Sequence, residues 1–200
     1  MPKVVAILLA AGESRRMGQL KALLPWQGTS LLQHQVAALR NGGVERVMVV
    51  LGHQADRLHP LIEREDGVNW VLNPNYLQGK TTSIKAGKAG LENLSSDQPN
   101  TLLILNVDQP RNAETISFLL EAHHAGDALI TIPTYQGKGG HPIIVDGSLF
   151  DELAEIDEAT QGMKALVQRH VERTQRVETG DPAVLWDLNT PEQYQAALEG

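Results

Sequence analysis

The sequence predicts a three-layer α/β fold, with helices covering both faces of a mostly parallel sheet, and three observations predict it. Short apolar runs rich in β-branched residues recur at 4–9, 44–51, 70–72, 102–105 and 128–132. Each run is nearly continuous rather than alternating, the pattern of a strand buried on both faces. Amphipathic stretches with helical spacing separate them, and strand alternating with helix implies crossover connections and a parallel sheet. With 200 residues and 42% hydrophobic content the chain can bury one sizeable core, so one domain over 1–200 is expected.

The elements follow in order. The run 4–9 opens the sheet and leads into Ala10-Ala11-Gly12, small residues that let the backbone approach a ligand. Ser30 is placed to cap a helix over 31–39, which Gly42-Gly43 ends. Strands at 44–51 and 70–72 come next, and Thr81 or Thr82 is expected to cap a helix over 84–94. Strand 102–105 precedes a helix over 113–123 capped by Asn112, and strand 128–132 follows. Beyond Ile132 the pattern loosens. Residues 134–140 read as a glycine-rich connection, 141–145 as another strand, and 148–170 as two helices around Glu158-Ala159-Thr160. Thr190-Pro191 supplies a cap and a first-turn proline for a last helix over 192–198. Ligands in open α/β sheets bind beyond the carboxyl ends of the strands, so the irregular segment is expected to be an insertion over the site.

Composition narrows the partners. The net charge of −7, with no dense Lys/Arg run, argues against a nucleic-acid surface and for small molecules. The absence of cysteine excludes disulfides, thiolate metal sites and a Cys nucleophile, so any metal must use oxygen or imidazole ligands. No stretch approaches the ~20 apolar residues of a membrane-spanning helix. The run after Met1-Pro2-Lys3 lacks the length and cleavage region of a secretion signal, so a cytoplasmic location is expected.

The most informative stretch runs from Leu9 to Lys21, Leu-Ala-Ala-Gly-Glu-Ser-Arg-Arg-Met-Gly-Gln-Leu-Lys. A buried strand ends there, small residues follow, and Arg15, Arg16 and Lys21 stand close behind. A triphosphate needs peptide N–H groups for its oxygens and fixed positive charge for its transition state. The stretch is not a Walker loop, because Met17 stands where the second glycine belongs. Gly79-Lys80-Thr81 matches only the end of that motif, with Pro74 at the position of its first glycine, and no Gly-x-Gly-x-x-Gly fingerprint occurs. Asp108 follows the strand 102–105 directly, where a carboxylate can hold Mg²⁺ bridging phosphate oxygens. Asp187 or Asn189, before Thr190-Pro191, can complete a metal site or simply start a helix. His141, between Gly140 and Pro142, either faces the site or is structural, and no histidine has a recognisable metal-ligand spacing. Ser14 and Ser83 have no evident partner base, which disfavours a Ser/His/Asp hydrolase.

These motifs resemble, in order, those of the nucleotidyltransferases that add a cytidylyl or guanylyl group to molybdopterin. Residues 9–21 match their L-A-A/G-G-x-S-x-R-M-G-x-x-K motif, and 73–83 resemble N-x-x-x-x-x-G-x-x-x-S. Further matches are 107–110 to the aspartate before proline, 140–142 to G-H-P, and 187–191 to D-x-D/N-T-P. The resemblance implies a Rossmann-like nucleotidyltransferase fold with a mixed sheet, in which Leu9, Ala10, Ala11, Gly12 and Gly18 line the nucleotide. It further implies that Arg16 and Lys21 contact phosphates, that Gly79 and Ser83 lie near the base, and that Asp108 and Asn189 hold Mg²⁺. Catalysis would rest on Lys21, Arg16 and Asp108. Ala11, together with Leu23-Leu24-Pro25, is similar to the cytidylyl branch and favours CTP over GTP. Asn189 stands where that branch often has aspartate, and Lys80 where methionine is common, so the acceptor side is expected to differ. The implied partners are a nucleoside triphosphate, a small phosphorylated acceptor and a molybdenum enzyme or its maturation factor. The alternatives are a sugar- or polyol-phosphate nucleotidyltransferase and a non-catalytic nucleotide-binding protein.

Overall fold

The computed structural model describes residues 3–95 and 97–199; Met1 and Pro2, where the sequence reading begins, lie outside the described residues. In chain order the elements start with β1 (Val4–Ala10), the hairpin β2 (Pro25–Trp26) and β3 (Thr29–Ser30), and α1 (Leu31–Asn41). They continue with β4 (Arg46–Leu51), the short α2 (Ala55–Leu58), β5 (Val68–Leu72), α3 (Lys80–Leu94), β6 (Thr101–Asn106) and α4 (Ala113–His124). Last come β7 (Ile130–Tyr135), β8 (Lys138–Gly139), β9 (Ile143–Asp146), α5 (Met163–Arg169), β10 (Thr174–Glu178) and α6 (Pro191–Glu199). Seven strands run in the order β10-β7-β9-β6-β1-β4-β5, with β8 added on β7. All neighbours are parallel except β9, which runs against both β6 and β7, and the β7–β8 hairpin. This is the mostly parallel, mixed sheet that was expected.

β1 shows why the apolar runs carry the fold. All seven of its residues are buried. Val4, Ala6, Leu8 and Ala10 face the core under α1, α4 and α6, while Val5, Ile7 and Leu9 face the core under α3 and α5. Alternation along a strand thus feeds two apolar layers, which leaves no polar face to alternate with. On the second face α3 lies so close that a Cβ at Gly87 would come within 2.6 Å of Ile7 Cγ2. Gly87→Val is expected to cost about 1–3 kcal/mol through overpacking, read as a lower urea midpoint at unchanged m value.

The local predictions fare unevenly. Ser30 caps α1 as expected: its Oγ accepts the Gln33 N–H at 3.3 Å, and Gln33 Oε1 accepts the Ser30 N–H at 3.4 Å. Asn112 caps α4, accepting the Thr115 N–H at 2.7 Å. Neither Thr81 nor Thr82 caps α3; Gly79 does, at φ 119°, and the helix begins at Lys80. The Thr82 hydroxyl instead turns back to the Gly79 carbonyl at 2.8 Å, so its hydroxyl competes for the first turn from inside the helix. Residues 148–170 do not form two α-helices: short 3₁₀ turns at Gly147–Leu149 and Asp151–Ala154 precede the single helix α5. The connection 134–140 contains the β7–β8 hairpin, and β10 was not expected at all. β10 is an edge strand in which Val177 is the one apolar residue, so it lacks the buried-run signal.

Candidate functional site

The carboxyl ends of β1 and β6 lie side by side in the middle of the sheet, and the chain crosses from one helical layer to the other around them. A cleft of about 270 Å³ opens there. Leu9, Ala10, Ala11, Gly12 and Lys21 line it from the β1 side, Gly79, Lys80 and Ser83 from α3, and Asp108 from β6. After Gly12 the chain turns at Ser14, which adopts a left-handed conformation (φ 56°), and its Oγ accepts the Lys21 N–H at 3.1 Å. That bond closes the loop into a ring and sends the Lys21 side chain inward, where only 11% of it is exposed. Gly18 lies off the cleft; at φ 68° it ends the short turn Arg15–Met17 and borders a separate hollow with Glu13, Arg15 and His53.

Lys21 gathers the remaining groups. Its ammonium donates to Asp108 Oδ2 at 2.6 Å and to Asn189 Oδ1 at 2.8 Å. Arg16 Nη2 donates to the same Asn189 oxygen at 3.1 Å. The Asn189 side chain, not that of Asp187, is therefore the one turned to Lys21, while Leu188 N–H donates to the Asp108 carbonyl at 2.8 Å and ties the two segments. Arg16, Lys21, Asp108 and Asn189, up to 173 positions apart in sequence, thus meet at one point.

Three supports were not read from the sequence. Gln35 of α1, fully buried, donates to the Gln109 carbonyl at 2.6 Å and accepts the Arg111 N–H at 3.0 Å, which shapes the turn carrying Asp108. A glutamine inside the apolar stripe Leu31, Leu32, Val36, Leu39 was its signal. The Arg111 guanidinium, 2% exposed, donates to the carbonyls of His141 (2.7 Å), Pro110 (2.6 Å) and Val184 (2.7 Å), joining three loops. Burial pushes it down to about 9, against the charges of Asp181, Asp187 and Asp108, so it stays protonated at neutral pH. Glu158 reaches α3 from the irregular segment: its Oε1 accepts the Thr81 N–H at 2.7 Å, and a Cβ on Gly79 would sit 2.4 Å from its Cδ. The segment expected over the site does abut it. Asn73, buried, donates to Thr82 and Ser83 hydroxyls at 2.9 Å each and so sets the same turn.

His141 precedes β9, its N–H donating to the Val184 carbonyl at 3.0 Å and its carbonyl accepting from Arg111 at 2.7 Å. Burial first, then the charges of Arg111 and Lys80, hold its imidazole down at about 4, with Asp108 acting in the opposite sense. The ring is neutral at physiological pH.

A parallel-sheet edge that gathers a loop of small residues, a lysine and a carboxylate around one cleft is the working end of a nucleotide-handling α/β enzyme. Comparison with known proteins carries this further. Residues 6–174 match the profile of the MobA-like NTP transferase domain, and the chain belongs to that family of nucleotidyltransferases. It is 26% identical to the molybdenum cofactor cytidylyltransferase of Escherichia coli (strain K12), over 100% of this chain and 97% of that protein. It is 28% identical to nicotine blue oxidoreductase of Paenarthrobacter nicotinovorans, over 99% and 98%. These two relatives of similar identity carry names of different activities, so neither one alone fixes the substrates of this chain. Rv0371c of Mycobacterium tuberculosis H37Rv has the same fold, with a TM-score of 0.81 at 24% identity over 100% and 99% of the two chains. A structure of Rv0371C in complex with manganese gives 0.75 at 22%, over 99% of each.

Proposed function

We propose that this chain transfers a cytidylyl group from CTP to a phosphate of molybdopterin and releases pyrophosphate. The observation that carries the reading is the Lys21 ammonium, held at 2.6 and 2.8 Å between Asp108 and Asn189 at the end of a cleft lined by 9–12. Those two oxygens already converge on a single cation and are hard donors, so they suit Mg²⁺; among the described residues no group of three or more His, Asp or Glu forms a cage. The protein would supply two ligands and leave the rest to phosphate oxygens and water, which is how Mg²⁺ is usually held. When bound, the ion would neutralise negative charge developing on the phosphates.

The chain's own groups then divide the work. Lys21, released from Asp108, stabilises the charge on the α-phosphate, and Arg16 holds the departing pyrophosphate. The acceptor's phosphate oxygen attacks the α-phosphorus in line, and the bond to the bridging oxygen breaks with its electron pair leaving on pyrophosphate. The acceptor phosphate is already ionised, so no side chain need take its proton. Gly79 and Ser83 face the base. CTP is favoured over GTP because Ala11, with Leu23-Leu24-Pro25 after Lys21, is similar to the cytidylyl branch. The chain acts as one nucleotidyltransferase domain in the cytoplasm, apart from nucleic acid and membrane, and its product passes to a molybdenum enzyme or its maturation factor. Among the described residues no helix is long and apolar enough to cross a membrane.

Calorimetric titration with the four ribonucleoside triphosphates and Mg²⁺, followed by pyrophosphate release with molybdopterin and a panel of sugar and polyol phosphates, tests this. CTP is expected to bind most tightly and molybdopterin alone to release pyrophosphate. Tighter binding of GTP overturns the base assignment, release with a sugar or polyol phosphate overturns the acceptor, and binding without turnover on any acceptor overturns the reaction.

A further inference from the structure

The first turn of α3 forms where its own sequence supplies no cap. Thr81 and Thr82 are the local capping residues, yet the helix begins before them at Lys80, with Gly79 in the cap position and no side chain there to accept an N–H. Thr81 is buried inside the turn, and the Thr82 hydroxyl is engaged with the Gly79 carbonyl, so neither caps in this arrangement. Packing holds the rest of the helix: Ile84, Gly87, Gly90 and Leu91 seat it on the sheet, with Ile7 and Met48 beneath the two glycines.

The missing cap comes from 77 positions away. Glu158 Oε1 accepts the Thr81 N–H at 2.7 Å, and its side chain fills the space that a Cβ on Gly79 would need. A carboxylate there satisfies one orphan N–H and faces the positive end of the helix dipole. Glu158 is carried by a compact strap, 157–162. Asp157 closes that strap on itself: its carbonyl accepts the Gly162 N–H and its carboxylate the Ala159 N–H, each at 2.7 Å. Ile156 and Met163 anchor the two ends in the apolar core under α3 and α5. Among the described residues, the bond from Thr81 to Glu158 is the one hydrogen bond between the strap and α3.

The turn so capped carries Gly79 and Ser83 into the cleft. Without Glu158, local preference returns to Thr81 or Thr82 as N-cap, a later start that unwinds the residues beside Gly79. Resting on the nucleotidyl-transfer reading above, in which Gly79 and Ser83 face the base, we infer that Glu158 is a positioning residue for the nucleotide. It holds the first turn of α3 in the form that the base end of the cleft uses, and it ties the strap 157–162 to nucleotide binding. A chain whose turn is formed only part of the time binds CTP more weakly by that fraction. Nucleotide, once bound, re-forms the turn, and the transfer step keeps its rate.

The test compares the full chain with Glu158→Ala and Glu158→Gln, exposed substitutions outside both apolar cores. Three quantities are read in the presence of Mg²⁺: affinity for CTP, affinity for inorganic tripolyphosphate, which has no base, and hydrogen exchange at the Thr81 amide. In Glu158→Ala, CTP is expected to weaken about fivefold, the scale of one helix cap, and the Thr81 amide to exchange faster by a similar factor. Tripolyphosphate affinity and kcat at saturating CTP should each stay within about twofold, because the turn is not part of the phosphate cradle. Glu158→Gln keeps an oxygen for the Thr81 N–H and is expected to recover most of the loss. Unchanged CTP affinity in Glu158→Ala overturns the inference and leaves the nucleotidyl-transfer reading standing. So does an equal loss for CTP and tripolyphosphate, which would mark a general loosening of the site. A Thr81 amide that exchanges no faster in Glu158→Ala overturns the capping contact itself. Failure of the unaltered chain to bind CTP overturns the reading and the inference together.

Discussion

Asp108→Ala is expected to lower pyrophosphate release about 100- to 1000-fold while circular dichroism shows the fold intact. The carboxylate stands past the end of β6, outside both apolar cores, so no packing is lost with it. What is lost is the charge that holds Lys21 and that, on the proposed function, would offer a metal one of its oxygens. Asp108→Asn separates the two roles. The amide oxygen can still accept from the lysine at 2.6 Å geometry, so an equally large loss in this variant assigns the effect to the negative charge. Lys21→Ala should fall in the same range, and because the two side chains touch, the double variant should lose far less than the product of the singles. A loss under about tenfold in Asp108→Ala would remove it from the chemistry.

The largest effect on stability is expected at Arg111. Arg111→Met fills similar volume yet leaves the carbonyls of His141, Pro110 and Val184 without their charged donor in a site 2% exposed. Val184 keeps a second donor, the His141 N–H at 3.0 Å, so two carbonyls bear most of the loss. At about 1–3 kcal/mol for each unsatisfied buried group, the urea midpoint should fall by the equivalent of about 2–5 kcal/mol. Removing a buried charge offsets part of this. A change below about 1 kcal/mol would show that the three loops hold one another without the guanidinium.

The sheet was legible because its central strands are buried on both faces, and β1, β4 and β6 announce themselves as continuous apolar runs. The edge strand β10 is half exposed and reads as polar, and the 3₁₀ turns between 147 and 154 have no periodicity that separates them from a helix. At the site four of the motif residues, Arg16, Lys21, Asp108 and Asn189, share one set of hydrogen bonds. Gly18 does not line the cleft, since its positive φ serves a turn. Gln35, Arg111 and Glu158 stayed hidden because each acts on backbone groups of distant segments, and a backbone carbonyl or N–H leaves no trace in the side-chain alphabet.

The position of Lys21 bears on how such an enzyme stays idle. Its ammonium fills the place between Asp108 and Asn189 as an internal counter-ion. A divalent ion arriving alone must evict a lysine that is 11% exposed and would then have nothing to neutralise it. On the proposed function, an ion arriving with a triphosphate would meet no such obstacle, because the phosphates would take the lysine as the carboxylate lets it go. Metal and nucleotide would then enter as one neutralised unit, and the protein alone would be a poor sink for free metal.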